Sequence, residues 1–229
     1  MNKRSNRELW FAFAAILVIT LLYGFTTAML GGIPPAREFF GHTLGIIGFL
    51  LMLMTETLYS LRKRSRNARW GRMSQWLDFH IFTGIVGPYL VLLHTSWKFN
   101  GLAGIVMLLT VIIVISGFVG RYIYTAVPRT ADGVEVEASF LEKQIEEADA
   151  ELQRRLVSSP EAAHTREQSV ELDKLHKRRQ TLQRQLHSLA AARRSLALWH
   201  TIHIPIGMAL FTAAFIHIFA AIYYATLLR

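Results

Sequence analysis

The 229-residue chain is 52% hydrophobic and carries a formal net charge of +9. It has no cysteine, which excludes disulfides and thiolate metal clusters. Its excess of basic residues sits at the ends of long apolar runs and does not gather on a soluble patch, so the charge does not point to nucleic acid.

Five runs, at about 10–30, 39–61, 76–97, 101–124 and 198–227, are apolar enough and near enough to 20 residues to cross a bilayer. They predict an all-α, five-span transmembrane bundle. Spans one to four fall within 1–128, a charged helical segment within 129–196, and span five within 197–229, packing with the first four. Lys3, Arg4 and Arg7 precede the first span, and Arg62, Lys63, Arg64, Arg66, Arg69 and Arg72 fill the second connection. The opposite side receives only Arg37, Lys98 and Arg229. This positive-inside asymmetry predicts a cytoplasmic N-terminus and an external C-terminus; the membrane is read as a bacterial inner membrane. The first span follows a basic stretch as a signal peptide would, yet it is long for one and Thr26-Thr27-Ala28 is a poor cleavage signal. It reads as a retained helix.

After a break at Gly31-Gly32-Ile33-Pro34-Pro35, span two carries His42 near its outer end and Glu56 near its inner end. Ionisable groups inside a span are costly and mark functional candidates. His42 is read either as an interfacial histidine bonded to a carbonyl or as a neighbour of an outer cofactor, and Glu56 as a snorkelling carboxylate or a proton-relay or quinone-site residue. Gly41, Gly45 and Gly48 form a small-residue stripe that admits a close neighbour, either a helix or a porphyrin. In span three, Ser74 suits the N-cap and Asp78 the first turn. His80 and His94 follow, with Gly84, Gly87 and Pro88 between them; the two glycines suit the clearance a flat macrocycle needs. Span four has no histidine and ends at Arg121, an interfacial anchor or a partner for cofactor carboxylates.

Residues 130–197 hold 11 Lys and Arg against 12 Asp and Glu. Leu141, Ile145, Leu152 and Leu156 mark one amphipathic helix, and Leu175, Leu182, Leu186, Leu189 and Leu196 a second that continues toward span five, with a turn at Ser158-Ser159-Pro160. The acidic first arm and basic second arm predict an antiparallel, cytoplasmic coiled-coil hairpin, with dimerisation through the same stripe as an alternative. His164, His176 and His187 lie among polar residues and read as solvated. Span five holds His200, His203 and His217, with Pro205 and Gly207 in between.

His80 and His94 are 14 residues apart, and so are His203 and His217. On a helix that is roughly 1400°, about 40° short of four turns, with a separation of roughly 21 Å along the axis. Each pair therefore shares a face, with one imidazole in each leaflet. Two such helices side by side offer facing histidine pairs at two depths, which suits two bis-histidine haems. Ligands spread this far cannot converge on one metal ion. His200 is one turn from His203 and is the substitute ligand, but it breaks the 14-residue match. With spans three and five parallel, His80 pairs with His203 and His94 with His217; antiparallel spans would swap the partners.

Two helices of this H-x13-H pattern resemble the di-haem membrane cytochromes b, including the cytochrome b561 type and the transmembrane parts of ferric reductases. The resemblance covers spans two to five and rests on His80, His94, His203 and His217. It implies two haem b groups, held without covalent attachment because no cysteine is present. It also implies one-electron transfer across the membrane as an oxidoreductase subunit, with a quinone as the natural small-molecule partner. A c-type cytochrome or a quinone-linked complex would be the protein partner. The chain carries no Gly-rich dinucleotide motif, so direct use of a nicotinamide is not expected. Two other readings stay open: an outer-face reductase of metal ions or oxygen, and a haem-free scaffold or sensor working through its coiled hairpin.

Overall fold

A computed structural model describes residues 6–64, 73–125, 137–158 and 166–226. Among them are six helices and no strand: α1 Arg7–Leu30, α2 Phe39–Arg64, α3 Met73–His94, α4 Gly101–Thr125, α5 Ala138–Ser158 and α6 Arg166–Thr226. Helices α1 to α4 and the stretch Ser169–Tyr224 of α6 each contain a window long and apolar enough to cross a membrane. Their outward faces are apolar as well: Phe25, Met29, Leu108 and Phe219 are all exposed. That is the build of a multi-pass membrane protein, whose lipid-facing surface needs no polar cover. The second arm and the fifth span belong to one helix of 61 residues.

The chain divides into two compact units. The first comprises Ser5–Val119 and Thr201–Arg229. Helix α1 ends where Gly31 turns left-handed (φ 67°) and the Gly32 N–H donates back to the Thr27 carbonyl, a closure that residues with a Cβ adopt poorly. Helices α2 and α3 pack antiparallel and close. A Cβ on Gly48 would stand 2.9 Å from the Gly87 carbonyl oxygen, and one on Gly87 would stand 3.0 Å from that of Gly48. The neighbour admitted by the glycine stripe is therefore a helix at Gly48 and, at Gly45, the ring of His94. Gly87, expected to clear a macrocycle, is spent on helix contact. In lipid such contacts work through van der Waals packing, since the surrounding tails are as apolar as the side chains.

Ala12 of α1 packs with Val86 and Leu90 of α3, and Thr20 Oγ1 and Tyr89 OH share a hydrogen bond of 2.6 Å across that interface. A second cluster joins Met52 of α2, Val106 of α4, and Leu210 and Ala214 of α6. Two boundaries differ from the sequence reading. Ser74 lies inside α3, whose first described residue is Met73, and the helix stops at His94, three residues short of Trp97. Ser96 and Trp97 turn left-handed (φ 49° and 62°), and Ser96 Oγ donates to the Pro34 carbonyl at 2.6 Å.

The other unit comprises the described residues of Gly120–His200. Leu141 of α5 and Leu182, Leu189 and Ala192 of α6 form its buried seam, joined by Ile145, Leu186 and Leu196. Asp149 pairs with Arg179 at 2.5 Å, and Arg155 pairs with Glu171 and, at 2.7 Å, with Glu151. Partners rise in number along α5 as they fall along α6, so these stretches run antiparallel. Leu156, read as part of the seam, is exposed, and the seam ends at Leu152. His176 and His187 are exposed; His164, most of the Ser158-Ser159-Pro160 turn and the basic residues Lys3, Arg4, Arg66, Arg69, Arg72 and Arg229 lie outside the described residues. The Arg155 guanidinium, hydrogen-bonded to Glu151, holds that carboxyl below the usual range, and Glu151 and Glu171 raise Arg155 in turn. At the end of α4, the Trp199 indole lies on the backbone of Gly120, where any side chain would overlap it.

Candidate functional site

The two histidines of α3 are seated on the backbone of α2. His80 Nδ1 donates to the Thr55 carbonyl at 2.9 Å, and His94 Nδ1 donates to the Gly41 carbonyl at 2.8 Å. Residues 41 and 55 are also 14 apart, so two antiparallel helices in one register bring both bonds about together. Gly48 and Gly87, where the two backbones come close, are each the midpoint of their interval. A carbonyl can only accept, so each bond puts the proton on Nδ1 and leaves Nε2 with a lone pair. This is the tautomer in which a histidine ligates metal, its other nitrogen tied to an acceptor.

On α6, His203 Nδ1 lies 3.0 Å from Ser116 Oγ of α4. A hydroxyl donates or accepts, so this contact orients the ring without fixing its tautomer. His217 makes no hydrogen bond among the described residues, but it stands within electrostatic reach of His94. Met52 meets Gly87 on α3 and clusters with Leu210 on α6. Along α2, Glu56 stands by Gly207, Met52 by Leu210 and Phe49 by Phe215, so α6 runs antiparallel to α2 and parallel to α3, the direction in which His94 and His217 share one end. Leu210, halfway between His203 and His217, is 1% exposed. It belongs to an apolar layer, with Phe49 edge-on to Phe215 at 5.4 Å, that separates the His94 level from the His80 level.

The secondary candidates fall into a different pattern. His42 is exposed and bonds the Glu38 carbonyl, one turn earlier and just before its own helix, at 3.2 Å, and its ring centre lies 6.2 Å from that of His94. His200 bonds the Leu196 carbonyl, also one turn earlier on its own helix, at 2.8 Å. Such bonds leave an imidazole on its own helix, whereas those of His80 and His94 cross to another. His200 and the half-buried Arg121 belong to the arm unit and are not among the residues the span unit brings together. Glu56 is exposed, with Oε2 4.0 Å from where a Cβ of Gly207 would stand; it faces α6 one turn beyond His203.

Several participants carry no sequence signal. The acceptors at Gly41 and Thr55 are backbone atoms, Tyr59 contributes a ring 5.0 Å from that of His80, and Ser116 is one hydroxyl in an apolar span. The matched interval from 41 to 55 is a trace that only the register reveals. Among the described residues no group of three or more His, Asp or Glu side chains converges on a metal position. The His94 level gathers histidines of three spans, His94 with His42 and His217 near it, two of which would fill the axial positions of a haem. No protein-family model matches the chain, and no curated protein or solved structure does so either.

Proposed function

We propose that the chain is a membrane b-type cytochrome that relays electrons across a bacterial cytoplasmic membrane, akin to the di-haem cytochromes b its histidine spacing resembles. The observation that carries this reading is the pair of bonds from His80 and His94 to carbonyls of α2, which leave both Nε2 atoms free to ligate. His80 and His203 would hold one haem, His94 and His217 the other. Each haem would supply a one-electron iron couple. The protein's own part is to fix imidazole orientation through Thr55, Gly41 and Ser116, and to keep the space between the levels apolar with Leu210 and its neighbours.

The positive-inside charge pattern supports a cytoplasmic N-terminus and a cytoplasmic hairpin of α5 against the start of α6. Glu56, a carboxylate inside a span beside α6, suits proton exchange with a quinone in the leaflet of the His80 level. A second reading, reduction of metal ions or oxygen at the outer face, is favoured by the exposed His42 beside His94. Vesicles loaded with ferricyanide and treated outside with an impermeant reductant test the relay. Wild-type protein should bleach the trapped oxidant and His94→Ala should not; bleaching no faster than in empty vesicles would overturn the proposal.

A further inference from the structure

The contacts around His80 reach one residue further than those around His94. Thr83, three residues after His80 on α3, is 1% exposed. Thr55 Oγ1 shares its one proton between Thr83 Oγ1 at 2.7 Å and the Leu51 carbonyl of its own helix at 2.8 Å, and Thr83 Oγ1 donates to the Phe79 carbonyl at 2.9 Å. The same Thr55 offers its backbone carbonyl to His80 Nδ1 at 2.9 Å. A hydroxyl pair and an imidazole bond thus tie the same turn of α2 to the same turn of α3. Burial alone does not demand this: Thr110, also fully buried, returns its hydroxyl to the Val106 carbonyl of its own helix at 2.7 Å. The His94 level has no counterpart. The acceptor there is Gly41, without a hydroxyl, and the residue three after His94 is the exposed, left-handed Trp97.

We propose that Thr83 is the positioning residue of the His80 level. Through Thr55 it holds the carbonyl that takes the His80 Nδ1 proton, and so fixes the tautomer and angle of this imidazole more firmly than those of His94. A firmer Nδ1–H···O bond makes an imidazole a more basic ligand, which favours ferric over ferrous iron. The electrochemical consequence rests on the haem reading; the tautomer does not.

The test therefore has a haem-free arm and a haem-loaded arm. In the haem-free protein, nitrogen-15 NMR of labelled histidine should find a protected His80 Nδ1–H in wild type and Thr83→Ser, and an exchanging one in Thr83→Val. In the loaded protein, Thr83→Val should raise one couple only, the one missing from His80→Ala, by about threefold in the ferric-to-ferrous ratio. At 59 mV per tenfold that is about 30 mV. Thr55→Val, which keeps the carbonyl and loses the hydroxyl, should do the same, and Thr110→Val should do nothing. An unchanged His80 resonance, equal movement of both couples, or the same shift from Thr110→Val would overturn the proposal. A protein that takes no haem while its His80 proton still depends on Thr83 would overturn the haem reading and leave this inference standing.

Discussion

The His80 and His94 levels share one geometric device and differ in everything around it. Both imidazoles donate Nδ1–H to an α2 carbonyl at the same register, 2.9 and 2.8 Å long. Around His80 stand the Thr55–Thr83 hydroxyl pair and the Tyr59 ring. The His94 ring lies against bare Gly45 backbone, beside exposed His42 and one residue before the turn that contains Ser96 and Trp97. A repeat of spacing therefore sets where the candidate ligands stand, while side chains outside the repeat decide how firmly each is held. Two sites of identical ligand type, so surrounded, should differ in potential.

The largest effect should come from breaking what the levels share. Gly87→Leu wedges α2 from α3, where a Cβ alone would stand 3.0 Å from the Gly48 carbonyl oxygen. Haem content should fall at both levels, with a stability loss of about 1–3 kcal/mol typical of overpacking, seen by pigment absorbance and thermal melting in detergent. His94→Ala should remove one haem and leave the other, whereas His42→Ala should keep both; haem content per chain separates them. Gly45→Ala should act on one level alone. Its Cβ would stand 2.9 Å from His94 Cγ and Nδ1, forcing the ring off the Gly41 carbonyl, and should weaken haem binding there by about 10–100-fold in a haem titration. Gly84→Ala meets only Thr55 Cγ2 at 3.4 Å and should be tolerated.

The smallest effect lies in the arms. Because Arg155 lowers the Glu151 carboxyl in the folded arm, this pair stabilises at pH values above the ordinary carboxylate range and is lost as pH falls through the lowered value. Helicity by circular dichroism should therefore fall slightly more in wild type than in Glu151→Gln between about pH 5 and pH 3. The difference should shrink in high salt, as for any exposed pair.

How far the sequence could be read follows from where the information sits. Spans are written in side chains, so runs such as 101–124 declare themselves, and the equal intervals of His80–His94 and His203–His217 were visible as spacing. Continuation of the second arm into span five was also legible, since Leu189 and Leu196 lead into it without a breaker. Hydrogen-bond acceptors on a backbone have no letter, so the roles of Gly41 and Thr55 emerged only when the α2–α3 register was known. The purpose of Gly87 was misjudged for the same reason, because a glycine between two candidate ligands looks alike whether it faces a macrocycle or a helix. Leu156 matched the seam's period and still ended outside it, although α6 runs past its level to Arg166, since periodicity does not say which apolar positions a partner covers.

The most direct measurement is the number of haems per chain in protein purified from haem-replete cells, by pyridine haemochrome assay against chain concentration. The account predicts two b-type haems, falling to one in His80→Ala and in His94→Ala. A chain that binds none, or whose content is unmoved by both substitutions, would contradict it.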